Sequence, residues 1–298
     1  MPVKLENVRE LLSEQGYIAD HAVSMAVFLS MSLEKPLLIE GPAGVGKTEV
    51  AKVMASAMQA DLIRLQCYDG LDANHALYEW NYQRQLLHLK VVENNQQSVA
   101  EKEKTIFSEA FLLKRPLLQA ITHSSKPVLL IDEIDRSDEE FESFLLEVLS
   151  DWQITIPEMG TIKATHLPQV ILTSNRTREL SEALRRRCLY LYIDYPDFEK
   201  EYSIVNRKIP DLDSKFSRQI CHFMQNLRLI KLEKTPGISE TLDWAASLVA
   251  LHYDHLDKNI ITETLGVILK DWRDMRHVEL SLSELFEKTG VYAKTDNL

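Results

Sequence analysis

Two hydrophobic rhythms alternate through the first two thirds of the chain, and then one of them stops. Short apolar runs bounded by breakers predict buried strands: Pro36-Leu37-Leu38-Ile39, Leu62-Ile63-Arg64-Leu65, Val128-Leu129-Leu130-Ile131, Val170-Ile171-Leu172-Thr173 and Leu189-Tyr190-Leu191-Tyr192-Ile193. Their hydrophobicity is continuous rather than alternating, which predicts a parallel sheet covered on both faces. Helical patterns lie between them. Val23, Ala26, Val27 and Ser30 share one face, with Asp20 as the cap. Phe141, Phe144, Leu145, Val148 and Leu149 form an i, i+3, i+4, i+7, i+8 stripe, opened by a Ser137-x-x-Glu140 capping box.

After Tyr195-Pro196 the strand signals end. Residues 198–206, 211–231, 239–253, 257–270 and 274–287 each carry helical spacing, punctuated by Pro210 and Pro236-Gly237. The pattern predicts an α/β domain over 1–195 and an all-helical domain over 196–298. Two segments fit neither half. Gly70 to about Thr105 is long and polar around an aromatic cluster of Tyr78, Trp80 and Tyr82. Residues 153–165 read as a hairpin, Ile154-Thr155-Ile156 and Thr161-Ile162-Lys163 about a turn at Pro157–Gly160.

Composition narrows the classes. At 45% hydrophobic and 27% charged, the 298 residues are neither disordered nor coiled coil. The net charge is −11, and neither side of Tyr195 is basic, so general nucleic-acid binding is not expected. Cys67, Cys188 and Cys221 show no metal or disulfide spacing and suit a reducing compartment. The opening Met1-Pro2-Val3-Lys4-Leu5-Glu6-Asn7 is too charged for a signal peptide. The apolar stretch from Ala22 to Met31 is too short to span a bilayer. A cytoplasmic chain is expected.

Gly41-Pro42-Ala43-Gly44-Val45-Gly46-Lys47-Thr48 matches G-x-x-x-x-G-K-[ST] in full, after a strand and before a helix from Glu49. Three of the nine glycines fall within six residues of one another. Glycines let successive N–H groups turn inward around a phosphate, and the helix N-terminus adds its dipole. Lys47 would then reach the β- and γ-phosphates, and the Thr48 hydroxyl would ligate Mg²⁺. A chance strand–helix turn would not carry the whole pattern in this context.

Val128-Leu129-Leu130-Ile131-Asp132-Glu133 delivers two acids to the end of a hydrophobic strand. Asp132 is placed to hold Mg²⁺, and Glu133 to polarise a water aimed at the γ-phosphate. Asp138, Glu139 and Glu140 just beyond are ordinary helix-start acids. Asn175, closing Leu172-Thr173-Ser174-Asn175, can orient that water without repelling phosphate, although Ser-Asn also marks turns. Arg185-Arg186-Arg187-Cys188 precedes the last strand. Such a run is commonly a solvated face, but here it stands where an arginine finger would serve a neighbouring subunit's nucleotide.

These motifs, in this order and followed by a helical domain, resemble an AAA+ ATPase, and more closely the CoxD-like branch of the MoxR family. The resemblance is carried by Glu79-Trp80-Asn81-Tyr82-Gln83-Arg84-Gln85-Leu86-Leu87-His88 and Ile131-Asp132-Glu133-Ile134-Asp135-Arg136. Thr173-Ser174-Asn175-Arg176-Thr177-Arg178-Glu179-Leu180, Arg185-Arg186-Arg187-Cys188-Leu189-Tyr190 and Ile193-Asp194-Tyr195-Pro196 add to it. It implies a P-loop AAA+ core whose parallel sheet is sandwiched by helices, with a C-terminal all-α lid. It also implies a ring, usually hexameric, that hydrolyses ATP with Mg²⁺ to remodel or metallate a client metalloenzyme such as a molybdenum hydroxylase. The partner it implies is a von Willebrand factor A-domain protein.

By the same resemblance, 70–105 contains the helix-2 insert and 153–165 the hairpin before sensor 1. Asn175 takes the sensor 1 position and Arg187 the finger. Gly16-Tyr17-Ile18 lies where the chain packs against adenine, so Tyr17 and Ile18 are candidate base contacts. One departure stands out. The family places its sensor 2 arginine two residues after a serine opening a lid helix, and Pro236-Gly237-Ile238-Ser239-Glu240-Thr241 puts Thr241 there. Either another arginine substitutes or the lid couples to nucleotide differently.

Other candidates carry less. His252 and His255 have helical spacing but no third metal ligand. Tyr78, Trp80 and Tyr82 lack the flanking lysines of a base-stacking surface. Arg176, Arg178, Arg185 and Arg186 suggest a subunit interface. Two alternatives remain open. A P-loop kinase explains the loop but not Glu133, Asn175 or the arginines, and an AAA+ nucleic-acid motor conflicts with the acidic charge.

Overall fold

The computed structural model describes residues 5–91 and 98–289. The strands are β1 (Leu37–Glu40), β2 (Leu62–Gln66), β3 (Tyr78–Trp80), β4 (Leu112–Lys114), β5 (Val128–Asp132), β6 (Gln153–Ile156), β7 (Gly160–Lys163), β8 (Gln169–Ser174) and β9 (Leu189–Tyr192). The helices up to β9 are α1 (Leu5–Glu14), α2 (His21–Leu33), α3 (Lys47–Ala57), α4 (Ala73–Leu77), α5 (Tyr82–Val91), α6 (Val99–Ile106), α7 (Pro116–Ile121), α8 (Glu139–Asp151) and α9 (Glu182–Arg187). Beyond β9 the described chain is helical: α10 (Phe198–Lys208), α11 (Ser214–Arg228), α12 (Ile238–Ala250), α13 (Lys258–Ile268) and α14 (Trp272–Thr289).

The chain forms two compact units. The first takes in residues 1–11, 20–40 and 48–192, and the second 12–19, 41–47 and 193–298. The α/β unit is built on a five-stranded sheet of order β2-β5-β8-β1-β9, with every pairing parallel. Interior strands β1, β5 and β8 are buried along their whole length, as continuous apolar runs require. The outer strand β2 alternates instead, burying Ile63 and Leu65 and exposing Leu62, Arg64 and Gln66. In-register pairing of Gln66 with Asp132 and of Glu40 with Ser174 aligns the strand ends at one edge. Open α/β sheets gather their chemistry at that edge.

The described residues of the polar segment after Gly70 carry strand and helix. Tyr78–Trp80 pairs antiparallel with Leu112–Lys114, Trp80 opposite Leu112, and Trp80 meets Phe107 edge-on at 5.3 Å. Gln153–Ile156 and Gly160–Lys163 pair antiparallel as β6 and β7. Asp20 caps α2 by accepting the Val23 N–H at 2.8 Å. The capping box expected at Ser137–Glu140 does not form, and the cap lies one residue on. Asp138 is the cap, accepting from Phe141 N–H at 2.8 Å, because Ser137 Oγ donates to Ile134 O and closes the preceding turn.

In the second unit α10–α14 enclose a core of Phe216, Phe223, Met224, Trp244, Leu248 and Ile261, among others. Inside it lies a buried polar knot. Arg228 and Glu201 form a two-pronged ion pair at 2.6 and 2.7 Å, Arg228 at 7% and Glu201 at 0% side-chain exposure. Among the described residues no helix is long and apolar enough to cross a membrane.

Candidate functional site

Asp132 ends β5 with 4% side-chain exposure, and every acceptor direction it has is engaged. Its Oδ1 accepts from Thr48 Oγ1 at 3.0 Å and Thr173 Oγ1 at 2.5 Å. Its Oδ2 accepts from Arg64 Nε at 3.0 Å and Nη2 at 2.5 Å. Thr48 is the second residue of α3, directly after the glycine-rich loop, so the motif itself delivers the hydroxyl to the carboxylate. A carboxylate and a hydroxyl are the hard oxygen donors that Mg²⁺ takes.

Glu133, the next residue, turns the chain sharply with φ 56° and ψ 49°, a left-handed conformation unusual for a residue with a side chain. Its N–H donates to Thr173 Oγ1 at 3.0 Å, which ties the turn to β8. Its Oε2 accepts from Gln66 Nε2 at 3.1 Å and lies 3.0 Å from Arg136 Nε. Its Oε1 lies 3.5 Å from Asn175 Nδ2. Asn175 is held in turn by Asp135, whose carboxylate accepts its backbone N–H at 3.2 Å and the Thr177 N–H at 2.8 Å. The structure therefore brings Thr48, Asp132, Glu133 and Asn175 into one bonded group. The same acids bear on Cys67, whose thiol is pushed up to about 12 by burial and then by Asp132, Asp135 and Glu133.

The loop Gly41–Lys47 is itself tightly built. A Cβ on Gly41 would lie 1.9 Å from Ile193 O, so only glycine fits there. Lys47 is buried, and its Nζ donates to Gly41 O at 2.7 Å and Pro42 O at 2.5 Å, holding the ammonium over the loop. The loop leads into the N-terminus of α3, an arrangement suited to an anion. Residues 12–19 belong to the same unit, and Tyr17 N–H bonds Leu12 O at 3.0 Å to turn the chain at the end of α1. Tyr17 and Ile18 thus share a unit with the loop.

The loop is also bonded to α12. Ser239 donates to Gly44 O through its N–H at 3.2 Å and its Oγ at 3.3 Å. Gly237 sits so close that a Cβ there would lie 2.7 Å from Gly44 C and O. Beside this contact a cavity of about 400 Å³ is lined by Ala43, Tyr195, Lys234, Pro236, Glu240 and Ile268, among others. Thr241 is fully buried; it donates to Glu201 Oε1 at 2.6 Å and accepts from Arg228 Nη2 at 2.9 Å. The Arg228 guanidinium is engaged by Glu201, Thr241, Pro236 O and Gly237 O inside the helical unit.

The three arginines at the end of α9 diverge. Arg187 donates to Ser150 Oγ at the end of α8, Arg186 pairs with Glu182 at 2.5 Å, and Arg185 lies 5.7 Å over the Tyr190 ring. None of these contacts joins the Asp132–Glu133 group. Arg178 bonds Glu142 at 2.5 Å and Ser137 O at 2.8 Å. His255 pairs with Asp254 at 2.7 Å, and among the described residues no group of three or more acids, histidines and cysteines could hold a metal. Arg64 and Gln66 were not singled out by motif. The signal they leave is alternation on β2, where two polar side chains two residues apart share the exposed face.

Comparison with known proteins identifies the scaffold. Residues 36–188 match the AAA domain model of the dynein-related subfamily. An uncharacterized protein of Staphylococcus haemolyticus is 28% identical over 81% of this chain and 84% of its own length. Another, from Staphylococcus aureus, is 30% identical over 74% of this chain and 76% of its own. A mutant of the Thermotoga maritima RuvB protein superposes over 98% of this chain and 85% of that one, with a TM-score of 0.50 at 20% identity, a likeness of fold. The chain belongs to the AAA domain family, dynein-related subfamily, and is an ATPase that uses ATP with Mg²⁺.

Proposed function

We propose that the chain is a MoxR-type AAA+ ATPase of the CoxD-like branch, with an α/β motor over 1–195 and a helical lid over 196–298. It works in the cytoplasm as a ring, usually a hexamer, that uses hydrolysis to remodel or complete a client metalloenzyme, with a von Willebrand factor A-domain protein as partner. In this reading the loop from Gly41 to Lys47 holds the phosphates, Tyr17 and Ile18 contact the base, and Thr48 and Asp132 hold Mg²⁺. Glu133 takes the proton of the attacking water, Asn175 orients that water, and Arg187 of a neighbouring protomer steadies the transition-state charge.

The observation that carries the catalytic part is the placing of Glu133 between the amides of Gln66 and Asn175, with Arg136 on the Gln66 side, so that its carboxylate is oriented from both oxygens. This supports water, rather than a small acceptor, as the nucleophile. Lys47→Ala is expected to abolish nucleotide binding. Glu133→Gln is expected to bind ATP and stall, and full turnover by Glu133→Gln would overturn the assignment. Co-purification from the native cell tests the chaperone role, and recovery of neither an A-domain protein nor a metalloenzyme would count against it.

A further inference from the structure

The geometry points to Arg64 as a positioning residue for hydrolysis, one that couples the metal-side carboxylate Asp132 to the water-side carboxylate Glu133. The inference rests on the roles proposed above for those two acids. Arg64 lies on β2 two residues before Gln66, so both side chains leave the same face of the strand. Its guanidinium forks. Nε and Nη2 both donate to Asp132 Oδ2, and Nη2 also donates to Gln66 Oε1 at 2.5 Å. Gln66 Nε2 then donates to Glu133 Oε2 at 3.1 Å. One continuous path, Asp132–Arg64–Gln66–Glu133, joins the two acids through side chains of a neighbouring strand.

The direction of each bond follows from chemistry. Arginine has only donors, so the Gln66 carbonyl oxygen must face it; an ionised glutamate has only acceptors, so the Gln66 amide nitrogen must face Glu133. Reversing the Gln66 amide would set donor against donor at one end and acceptor against acceptor at the other. Arg64 thereby fixes which way Gln66 points, and Gln66 shares with Arg136 the holding of Glu133 Oε2. Arg64 has a second effect. It sets a permanent positive charge against the buried carboxylate that is to hold a divalent cation, and two cations near one carboxylate oppose each other. Arg64 is half-exposed, so solvent weakens this opposition without removing it.

These two effects predict opposite changes in two measurements, which a residue of merely structural importance would not produce. The full-length protein and its Arg64→Met and Arg64→Lys variants are compared. Binding of a fluorescent ATP analogue is titrated with Mg²⁺, turnover is measured under saturating conditions, and melting temperature is recorded. For Arg64→Met the Mg²⁺ concentration at half-maximal binding is expected to fall about threefold, with the repelling charge gone. Turnover is expected to fall about tenfold, with Gln66 free to turn and Glu133 Oε2 left to Arg136 alone.

Arg64→Lys keeps the charge, but a single ammonium does not reproduce a planar fork. Its Mg²⁺ requirement is expected to stay within about twofold of the parent while its turnover falls as in Arg64→Met. An unchanged or raised Mg²⁺ requirement in Arg64→Met overturns the electrostatic part, and full turnover in Arg64→Lys overturns the fork. Should Arg64→Met fail to fold, Arg64→Lys still decides the fork, and Arg64→Gln repeats the charge test. Glu133→Gln is measured alongside. If it turns over fully, the role of Glu133 falls and this inference with it; if it stalls while Arg64→Met matches the parent, this inference alone falls.

Discussion

Gly237→Ala tests whether α12 and the phosphate loop act as one body. Gly237 has φ −89° and ψ −167°, which alanine adopts freely, so the backbone itself raises no objection. The objection is contact. A new Cβ would lie 2.7 Å from Gly44 C and O and 2.9 Å from Ala43 O, where ordinary contact begins at 3.4 Å. Something must move by about 0.7 Å, the gap to that ordinary contact. The loop is poorly placed to yield, since Gly41 abuts Ile193 O and Lys47 clamps Gly41 O and Pro42 O. The start of α12 must then retreat, stretching the Ser239 bonds to Gly44 O.

Overpacking of this kind costs about 1–3 kcal/mol, and a weakened hydrogen bond adds up to about 1 kcal/mol. Loss of chain freedom in the unfolded state returns about 0.4–1 kcal/mol. The net loss is about 1–3 kcal/mol, or about 2–12 °C in melting temperature at about 2–4 °C per kcal/mol. Gly266→Ala is the control. It lies in α13 with nothing within 4 Å of its Cβ position, so it should stabilise by about 0.5–1 kcal/mol. Thermal melts with and without ATP and Mg²⁺ give both quantities. If Gly237→Ala melts with the parent and ATP shifts both equally, the contact between α12 and the loop has no mechanical role.

Two further outcomes follow from buried groups. Arg228→Met leaves Glu201 charged inside the helical unit and should cost about 3–5 kcal/mol in denaturant unfolding, whereas Arg228→Met with Glu201→Leu should recover most of it; equal losses would show that the pair is not the source. The thiols of Cys67, Cys188 and Cys221 are each raised to about 12 by burial, so they should resist alkylation at pH 8 until the protein is unfolded. Below pH 9, the ordinary thiol value, both states keep these protons and the thiols do not affect stability. Above it the unfolded chain releases them first, so stability should fall as pH rises from about 9 towards 12. A melting temperature unaffected by removing the cysteines at pH 10 would refute the assignment.

The parts of the site legible in the sequence are those whose chemistry is local. The loop is written in consecutive residues, and Asp132-Glu133 follows its own apolar strand, so motif and context sit side by side. What escaped depends on pairing across distance. Leu62–Gln66 looks like one more buried strand until its place at the sheet edge exposes Arg64 and Gln66 beside Asp132 and Glu133. The segment around Trp80 fits neither hydrophobic rhythm, because its partner strand, Leu112–Lys114, lies beyond the polar stretch. The missing arginine at Thr241 was visible, but the glycine-to-glycine contact on the loop was not, since neither glycine marks the other in sequence.

The left-handed turn at Glu133 has a counterpart at Arg176, φ 60°, just past Asn175, so the chain after both β5 and β8 is bent at residues that resist the bend. Each such residue holds about 1–3 kcal/mol of strain that glycine would relieve. At Glu133 the relieving substitution deletes the very group the turn presents. Selection for stability alone would therefore drift towards a silent protein here. On the role proposed for Glu133, a stability-guided redesign of this chain would have to hold position 133 fixed, because the relieving residue carries no carboxylate.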